Sequence, residues 1–170
     1  GTYTDLFLKN YKNLKVLMFE PQVKIFNFLK IKYKNKKNIK YFNIAISNVN
    51  SKKFLFINEH DLTSSFSKLN TNNTYLKIKA ILFGKNLKNM VKKKISIKTV
   101  KLSQIIKKNK IIKIDLVKID TEGHELNVLR GIGNNLKNIR YVLVEIHNDK
   151  IYSNYDPKKV HNLLIKNNFS

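Results

Sequence analysis

Residues 115 to 132 read DLVKIDTEGHELNVLRGI, and within a few positions the pattern changes from a continuous apolar strand to helical spacing. DLVKID has the make-up of a strand buried on both faces. In TEGHELNVLRGI, Leu126, Val128, Leu129 and Ile132 return at the spacing of one helix face, and Gly131 and Gly133 stand where that helix would end. A buried strand running straight into an amphipathic helix is one half of a βαβ unit. It commits the chain to an α/β architecture around a mostly parallel sheet.

The rest of the sequence repeats the alternation. TYTDLFLKNYKN spaces Tyr3, Leu6 and Phe7 as a helix, KVLMFEP is a short strand stopped by Pro21, and Pro21 is placed to open a helix through VKIFNFLKIKY. IKYFNIAIS at 39 to 47 is a strand, and KKFLFIN at 52 to 58 and KKKISIKTVKL at 92 to 102 alternate as strands with one polar face. DLTSSFSKLNTNNTY between them has the composition of a loop or lid, and YLKIKAILFGKNLKNM suits strand and helix equally. Then follow LSQIIKKNK, a short helix with Ser103 as its cap, the strand IRYVLVEIH, and a last helix opened by Asp156 and Pro157. There is no internal repeat and no linker-like segment, so residues 1 to 170 are expected to form a single domain.

Against this frame the acidic residues are unevenly placed. Of eleven carboxylates, Asp115, Asp120, Glu122, Glu125, Glu145 and Asp149 fall between 115 and 149, while 34 basic residues give a net charge of +23. Glu20, Asp120 and Glu145 with His147 each stand where a predicted strand ends. Ligands of open α/β sheets bind beyond those carboxyl ends, so the acids form the rim of a site. Glu20 has the place of a carboxylate that accepts hydrogen bonds from both hydroxyls of a ribose; its structural alternative is a solvated strand-end charge. Asp120, Glu122 and His147 are the candidate catalytic groups, with His147 or Asp120 as general base and Glu122 and Glu145 orienting ligands. His147 also reads as a satisfied strand-end histidine. His124 is expected to be exposed, and Glu125 to neutralise a helix N-terminus.

The excess of cations raises nucleic acid or another acidic polymer as a partner, yet 32 of the 34 basic residues are lysine, and Arg130 and Arg140 are the only arginines. The lysines spread through the chain beside abundant Asn and Ile, which reads more simply as solvated faces and compositional bias. Nucleic acid is therefore a possible but not favoured partner. Cysteine is absent, which removes disulfides, thiolate metal sites and a cysteine nucleophile. Asp120, Glu122, Glu145 and His147 are of the types that bind Mg²⁺ or Mn²⁺, but no compact ligand motif supports a metal, and none is assigned. No apolar run is long enough to span a bilayer and no signal peptide opens the chain, so a cytoplasmic protein is expected.

In order and approximate spacing, FEP at 19 to 21, NIAIS at 43 to 47, TSSF at 63 to 66, VKIDTEGHELNVLRG at 117 to 131 and VLVEIH at 142 to 147 resemble the FkbM family of S-adenosylmethionine-dependent methyltransferases. KIDTEGHE is the most specific of these blocks. The resemblance implies a Rossmann-like class I methyltransferase fold with helices on both faces of the sheet, S-adenosylmethionine as cofactor, and O-methylation of a small molecule or carbohydrate. It further implies that Glu20 binds the cofactor ribose, that Asn43, Ala45 and Ile46 lie along the adenine, and that Gly1 is the last glycine of a glycine-rich loop. Ser64, Ser65 and Glu145 would line the acceptor pocket. The family's Leu-Asp pair ahead of the acidic block appears here as Leu102-Ser103. By the same comparison, the chain is expected to lack the first strand and the closing strands of the fold. A degenerate domain acting as a scaffold is the alternative that a missing glycine-rich loop would favour.

Overall fold

The computed structural model describes residues 2–58, 64–82, 91–147 and 151–170, with the side chains of Asn58, Tyr75, Lys79, Ala80, Val91 and Lys92 left aside. The chain is mixed α/β and divides into two compact units, Gly1–Ala45 and Ile46–Ser170. Gly1 and Asp149, with the first part of the expected lid, lie outside the described residues.

In the first unit, α1 (Thr2–Asn10) precedes β1 (Val16–Phe19), α2 (Val23–Lys32) and β2 (Ile39–Phe42). Val16 pairs with Ile39 and Phe19 with Phe42 in a parallel ladder, giving the expected βαβ unit. Leu29, Tyr33 and Ile39 form its buried core, against which Leu8, Val16, Met18, Ile25 and Tyr41 pack. Asp5 ties α1 to the end of α2 by accepting from Lys32 Nζ at 2.5 Å and from the Tyr33 hydroxyl at 2.8 Å. Pro21 precedes α2 without entering it, since Gln22 is the cap residue. The expected strand at 39 to 47 breaks at Asn43, and β3 (Ala45–Ile46) is separate from β2.

The second unit contains β4 (Ser51–Asn58), α3 (Thr74–Leu82), β5 (Val91–Val100), α4 (Leu102–Lys108), β6 (Ile114–Ile119), α5 (Glu125–Ile132), β7 (Ile139–Val144) and α6 (Pro157–Lys166), with a 3₁₀ turn from Gly133 to Asn138. β4 and β5 pair antiparallel, and β3 lies on the other side of β5. β6 and β7 pair parallel, Ile114 opposite Ile139 and Ile119 opposite Val144. The described strands thus form three separate sheets, two of them parallel strand pairs.

Helix α5 is the central packing element of this unit. Glu125, Val128, Leu129 and Ile132 recur at the spacing of one helix face and all are buried, Leu129 and Ile132 fully. Each fully buried aliphatic side chain contributes roughly 1.5–3 kcal/mol. Gly131 lies within the last turn of α5, and glycine is required there because a Cβ would come within 2.1 Å of the Ser47 carbonyl oxygen. Gly133, at φ 59°, supplies the left-handed residue that ends the helix. Ser103 sits inside α4 and Lys101 takes the cap position without a side-chain bond, so the expected serine cap is not used. Asp156 does cap α6, accepting from Lys158 N with Pro157 at the first helical position.

The described part of the expected lid is stitched down. Phe56 and Ser65 exchange backbone hydrogen bonds, Leu69 bridges Tyr152, and Ser65 is buried. Ser65 and Ser67 direct their hydroxyls to internal carbonyls.

Candidate functional site

The turn between β6 and α5 carries Asp120, Thr121, Glu122, Gly123 and His124. Its shape is imposed from within by Glu125, which is fully buried. Glu125 Oε1 accepts from Thr121 N at 3.1 Å, Thr121 Oγ1 at 3.1 Å and Gly123 N at 3.0 Å. Beyond lying at the start of α5, this carboxylate closes the turn that precedes it. Glu122 and Gly123 both take positive φ, 51° and 90°. A glutamate in the left-handed region is strained where glycine would not be, which points to a use for its side chain.

The carbonyls of the turn are held from the segment after β4. Ser65 Oγ donates to the Glu122 carbonyl, and Ser67 Oγ donates to the Gly123 carbonyl at 2.9 Å. Ser64 is half-buried, and its Oγ has no hydrogen-bond partner among the described residues. Tyr152 closes the other side: its ring lies where a Cβ on Gly123 would be, 2.7 Å from the nearest ring atom.

Outside this scaffold the side chain of Glu122 reaches the end of β7. Its Oε2 accepts from the Tyr152 hydroxyl at 2.5 Å and lies 3.1 Å from His147 Nε2. The His147 contact has the distance of an ion pair without the alignment of a hydrogen bond. Side-chain exposure of 17% for His147 and 18% for Glu122 leaves both within reach of a ligand. Tyr152 and Tyr155 meet the imidazole edge-on, at ring separations of 5.4 and 6.2 Å. Asp120 and Glu145 are gathered by one cation, since Lys118 Nζ lies 2.7 Å from Asp120 Oδ2 and 3.8 Å from Glu145 Oε2. Register explains the convergence: Ile119 pairs with Val144, and Glu145 N donates to Ile119 O at 3.0 Å, so both strands end side by side. Among the described residues no group of three or more His, Asp or Glu is arranged to hold a metal ion.

His124 departs from expectation. It is buried, with Phe66 packed on its ring at 4.8 Å, Nε2 3.0 Å from Ser47 Oγ and Nδ1 3.2 Å from Asn127 Nδ2. Lys53 Nζ donates to the same Ser47 Oγ at 3.2 Å. Burial, and secondarily the positive charge of Lys53, push the imidazole down to about 4, so it is neutral near pH 7. One tautomer satisfies every contact: Asn127 donates to Nδ1, the Nε2 proton goes to Ser47, and Ser47 donates to Asn48 Oδ1 at 3.2 Å.

In the first unit Glu20 lies just past β1. Its Oε1 accepts from Gln22 N at 2.8 Å, and burial raises its pKa, an effect opposed by that hydrogen bond. Asn43, just past β2, donates to the carbonyls of Glu20 at 2.9 Å and Pro21 at 3.1 Å. Glu20 and Asn43 are therefore neighbours at the carboxyl ends of two parallel strands, whereas Ala45 and Ile46 are buried. A half-buried carboxylate with one oxygen fixed by a backbone amide suits a pair of ribose hydroxyls, so the residues present fit a nucleoside.

Sequence reasoning missed Tyr152, Ser67 and Lys118. Tyr152 follows a short polar stretch with no periodicity, and nothing local marks it as a partner of a residue thirty positions earlier. Lys118 was detectable, because side chains alternate along a strand and place it on the side of Asp120.

Parallel strand pairs with polar groups gathered past their carboxyl ends define an α/β protein of the kind that builds its ligand site there. The whole chain, residues 1–170, matches the Methyltransferase FkbM domain, and it belongs to that family. Over 69 residues it is 41% identical to the hexuronic acid methyltransferase AglP of Haloferax volcanii, a stretch that makes up 41% of this chain and 27% of that protein. No solved structure matches the chain. Among the described residues no helix is long and apolar enough to cross a membrane.

Proposed function

We propose that residues 1 to 170 form one Rossmann-like methyltransferase domain that transfers a methyl group from S-adenosylmethionine to a hydroxyl oxygen of an acidic sugar. The observation that carries the reading is the contact of Glu122 with His147 past the ends of β6 and β7, in a chain of the FkbM family. The hexuronic acid named for the similar protein supports an acidic sugar as acceptor.

S-adenosylmethionine supplies an electrophilic methyl group on a sulfonium. Glu20, with Asn43 beside it, would accept the ribose hydroxyls. Glu122 holds the Nε2 side of the His147 imidazole, leaving Nδ1 to take the acceptor's proton. As the methyl group leaves the sulfonium for the acceptor oxygen, His147 would take that oxygen's proton and the Glu122 carboxylate would stabilise the resulting imidazolium. Tyr152 fixes the carboxylate from its other side. Asp120 and Glu145, paired with Lys118, orient the acceptor, and Ser64, with an unused hydroxyl, contributes a further polar contact. Holding the acceptor oxygen in line with the C–S bond supplies much of the rate. Cytoplasmic location accords with use of this donor.

Titration calorimetry with S-adenosylhomocysteine tests the cofactor, and transfer of labelled methyl to a hexuronate-bearing oligosaccharide tests the reaction. Absence of heat, with the parent chain shown to be folded, defeats the proposal.

A further inference from the structure

The antiparallel ribbon β4–β5 has two unlike faces. Leu55, Ile97 and Thr99 are buried on one, while Lys52, Phe54, Lys94, Ser96 and Lys98 are exposed on the other, with Phe56 half-buried beside them. The register sets Lys52 directly opposite Lys98, Phe54 opposite Ser96 and Phe56 opposite Lys94. Neither strand contains an aspartate or glutamate. Like charges directly opposite each other on a sheet destabilise it, so the Lys52–Lys98 pair costs stability that a bound anion would return. Phe54 is 53% exposed, and Lys94 Nζ rests 4.0 Å from its ring centroid and 6.0 Å from that of Phe56.

The ribbon is tied to the turn of the candidate site. Phe56 exchanges backbone hydrogen bonds with Ser65 at 2.8 and 3.1 Å, and Ser65 Oγ holds the Glu122 carbonyl. The Phe56 end of the ribbon is therefore one residue removed from the turn that bears Glu122.

We propose that the exposed face of β4–β5 binds the anionic extension of an oligosaccharide acceptor, with Lys52, Lys98 and Lys94 paired to uronate carboxylates and Phe54 stacked on the apolar face of a sugar ring. The proposal rests on the reading of the domain as an acidic-sugar methyltransferase and extends it from one acceptor unit to its neighbours. A uronate chain carries one well-separated carboxylate per sugar, which point-charge lysines spaced by an aromatic ring suit. Nucleic acid is favoured less, because arginine, whose planar fork matches phosphates and base edges, is absent from this face.

Calorimetry of the 170-residue chain with hexagalacturonate, neutral maltohexaose and hexauridylate provides the test. Hexagalacturonate is expected to bind and maltohexaose not to. The double variant Lys52→Ser, Lys98→Ser is expected to weaken binding roughly five- to tenfold, as loss of two exposed ion pairs would. Phe54→Ser is expected to weaken it further, and Lys107→Ser with Lys108→Ser on α4 to leave it unchanged. Hexagalacturonate bound with undiminished affinity by the Lys52/Lys98 variant, or no binding by the parent, overturns the proposal. So does hexauridylate binding more tightly through the same lysines, which makes the face a nucleic-acid surface. S-adenosylhomocysteine heat measured on the same samples separates the two readings: its persistence without uronate binding overturns the face alone, and its loss with uronate binding retained overturns methyl transfer alone.

Discussion

The turn 120–125 has an inner and an outer side, and their chemistry differs although they share six residues. Inside, Glu125 is fully buried with three donors on one oxygen, and His124 is locked in a neutral state between Ser47 and Asn127. Outside, Glu122 and His147 meet at 3.1 Å, each less than one-fifth exposed, and Asp120 shares Lys118 with Glu145. Acid and imidazole therefore occur twice at this turn, once as scaffold and once where a ligand can reach. Burial and the number of fixed partners separate the two uses, and residue type does not.

The largest effect expected from this division is on the outer side. His147→Asn keeps a polar planar group but removes the proposed base, and methyl transfer to a hydroxyl acceptor should fall about 10²- to 10⁴-fold. Its urea midpoint should stay close to the parent's. A steady-state rate within about threefold of the parent would move the base elsewhere, with Asp120 next in line. The inner side should behave in the opposite way. Glu125→Ala releases three donors in a buried turn, and unfolding in urea should show a loss of roughly 3 kcal/mol. A loss below about 0.5 kcal/mol would mean that the turn holds its shape without the carboxylate.

This contrast also marks how much the sequence disclosed. Element order was readable because apolar periodicity switches cleanly between 2 and 3.6, and α5 follows its pattern at Val128, Leu129 and Ile132. The strand-end places of Glu20, Asp120, Glu145 and His147 were readable for the same reason. His124 was misread as exposed because helix spacing gives no sign that Ser47 and Phe66, from distant segments, would close over the first turn. Ser103 failed as a cap because the cap position falls two residues earlier, at Lys101, with Leu102 turned into the core. The polar composition around Ser64 to Ser67 suggested a loop or lid outside the core, whereas Ser65 and Ser67 bond the turn's carbonyls. Polar composition marks unsatisfied hydrogen-bonding capacity, and only the fold decides whether water or backbone meets it.

A pH titration tests the inner side without mutation. His124 is held at about 4 in the folded chain against an ordinary value near 6.5, so the unfolded chain binds a proton that the folded one refuses. Stability from this residue is complete above about pH 6.5 and is lost as pH falls toward 4, by on the order of 3 kcal/mol at most. Lys53→Met removes the nearby positive charge, the lesser cause of the shift, and should move the lower edge of that window upward. A His124→Gln variant whose stability falls with acid as steeply as the parent's would assign the loss to other groups.

The smallest effect expected lies where the two sides meet, at Tyr152. Its ring packs on Gly123, and its hydroxyl reaches outward to Glu122 at 2.5 Å. Tyr152→Phe keeps the ring and removes the hydroxyl, so stability should fall by only about 1 kcal/mol. Glu122 then loses the bond that fixes its carboxylate against His147. The turnover number should fall several-fold while KM for S-adenosylmethionine stays unchanged, because the donor does not depend on this contact. Tyr152→Ala removes the packing as well and should cost roughly 3 kcal/mol or more. If Phe and Ala variants lose activity only in proportion to stability, Tyr152 belongs wholly to the inner scaffold. A turnover defect in the Phe variant beyond what its small stability loss explains places its hydroxyl with Glu122 and His147.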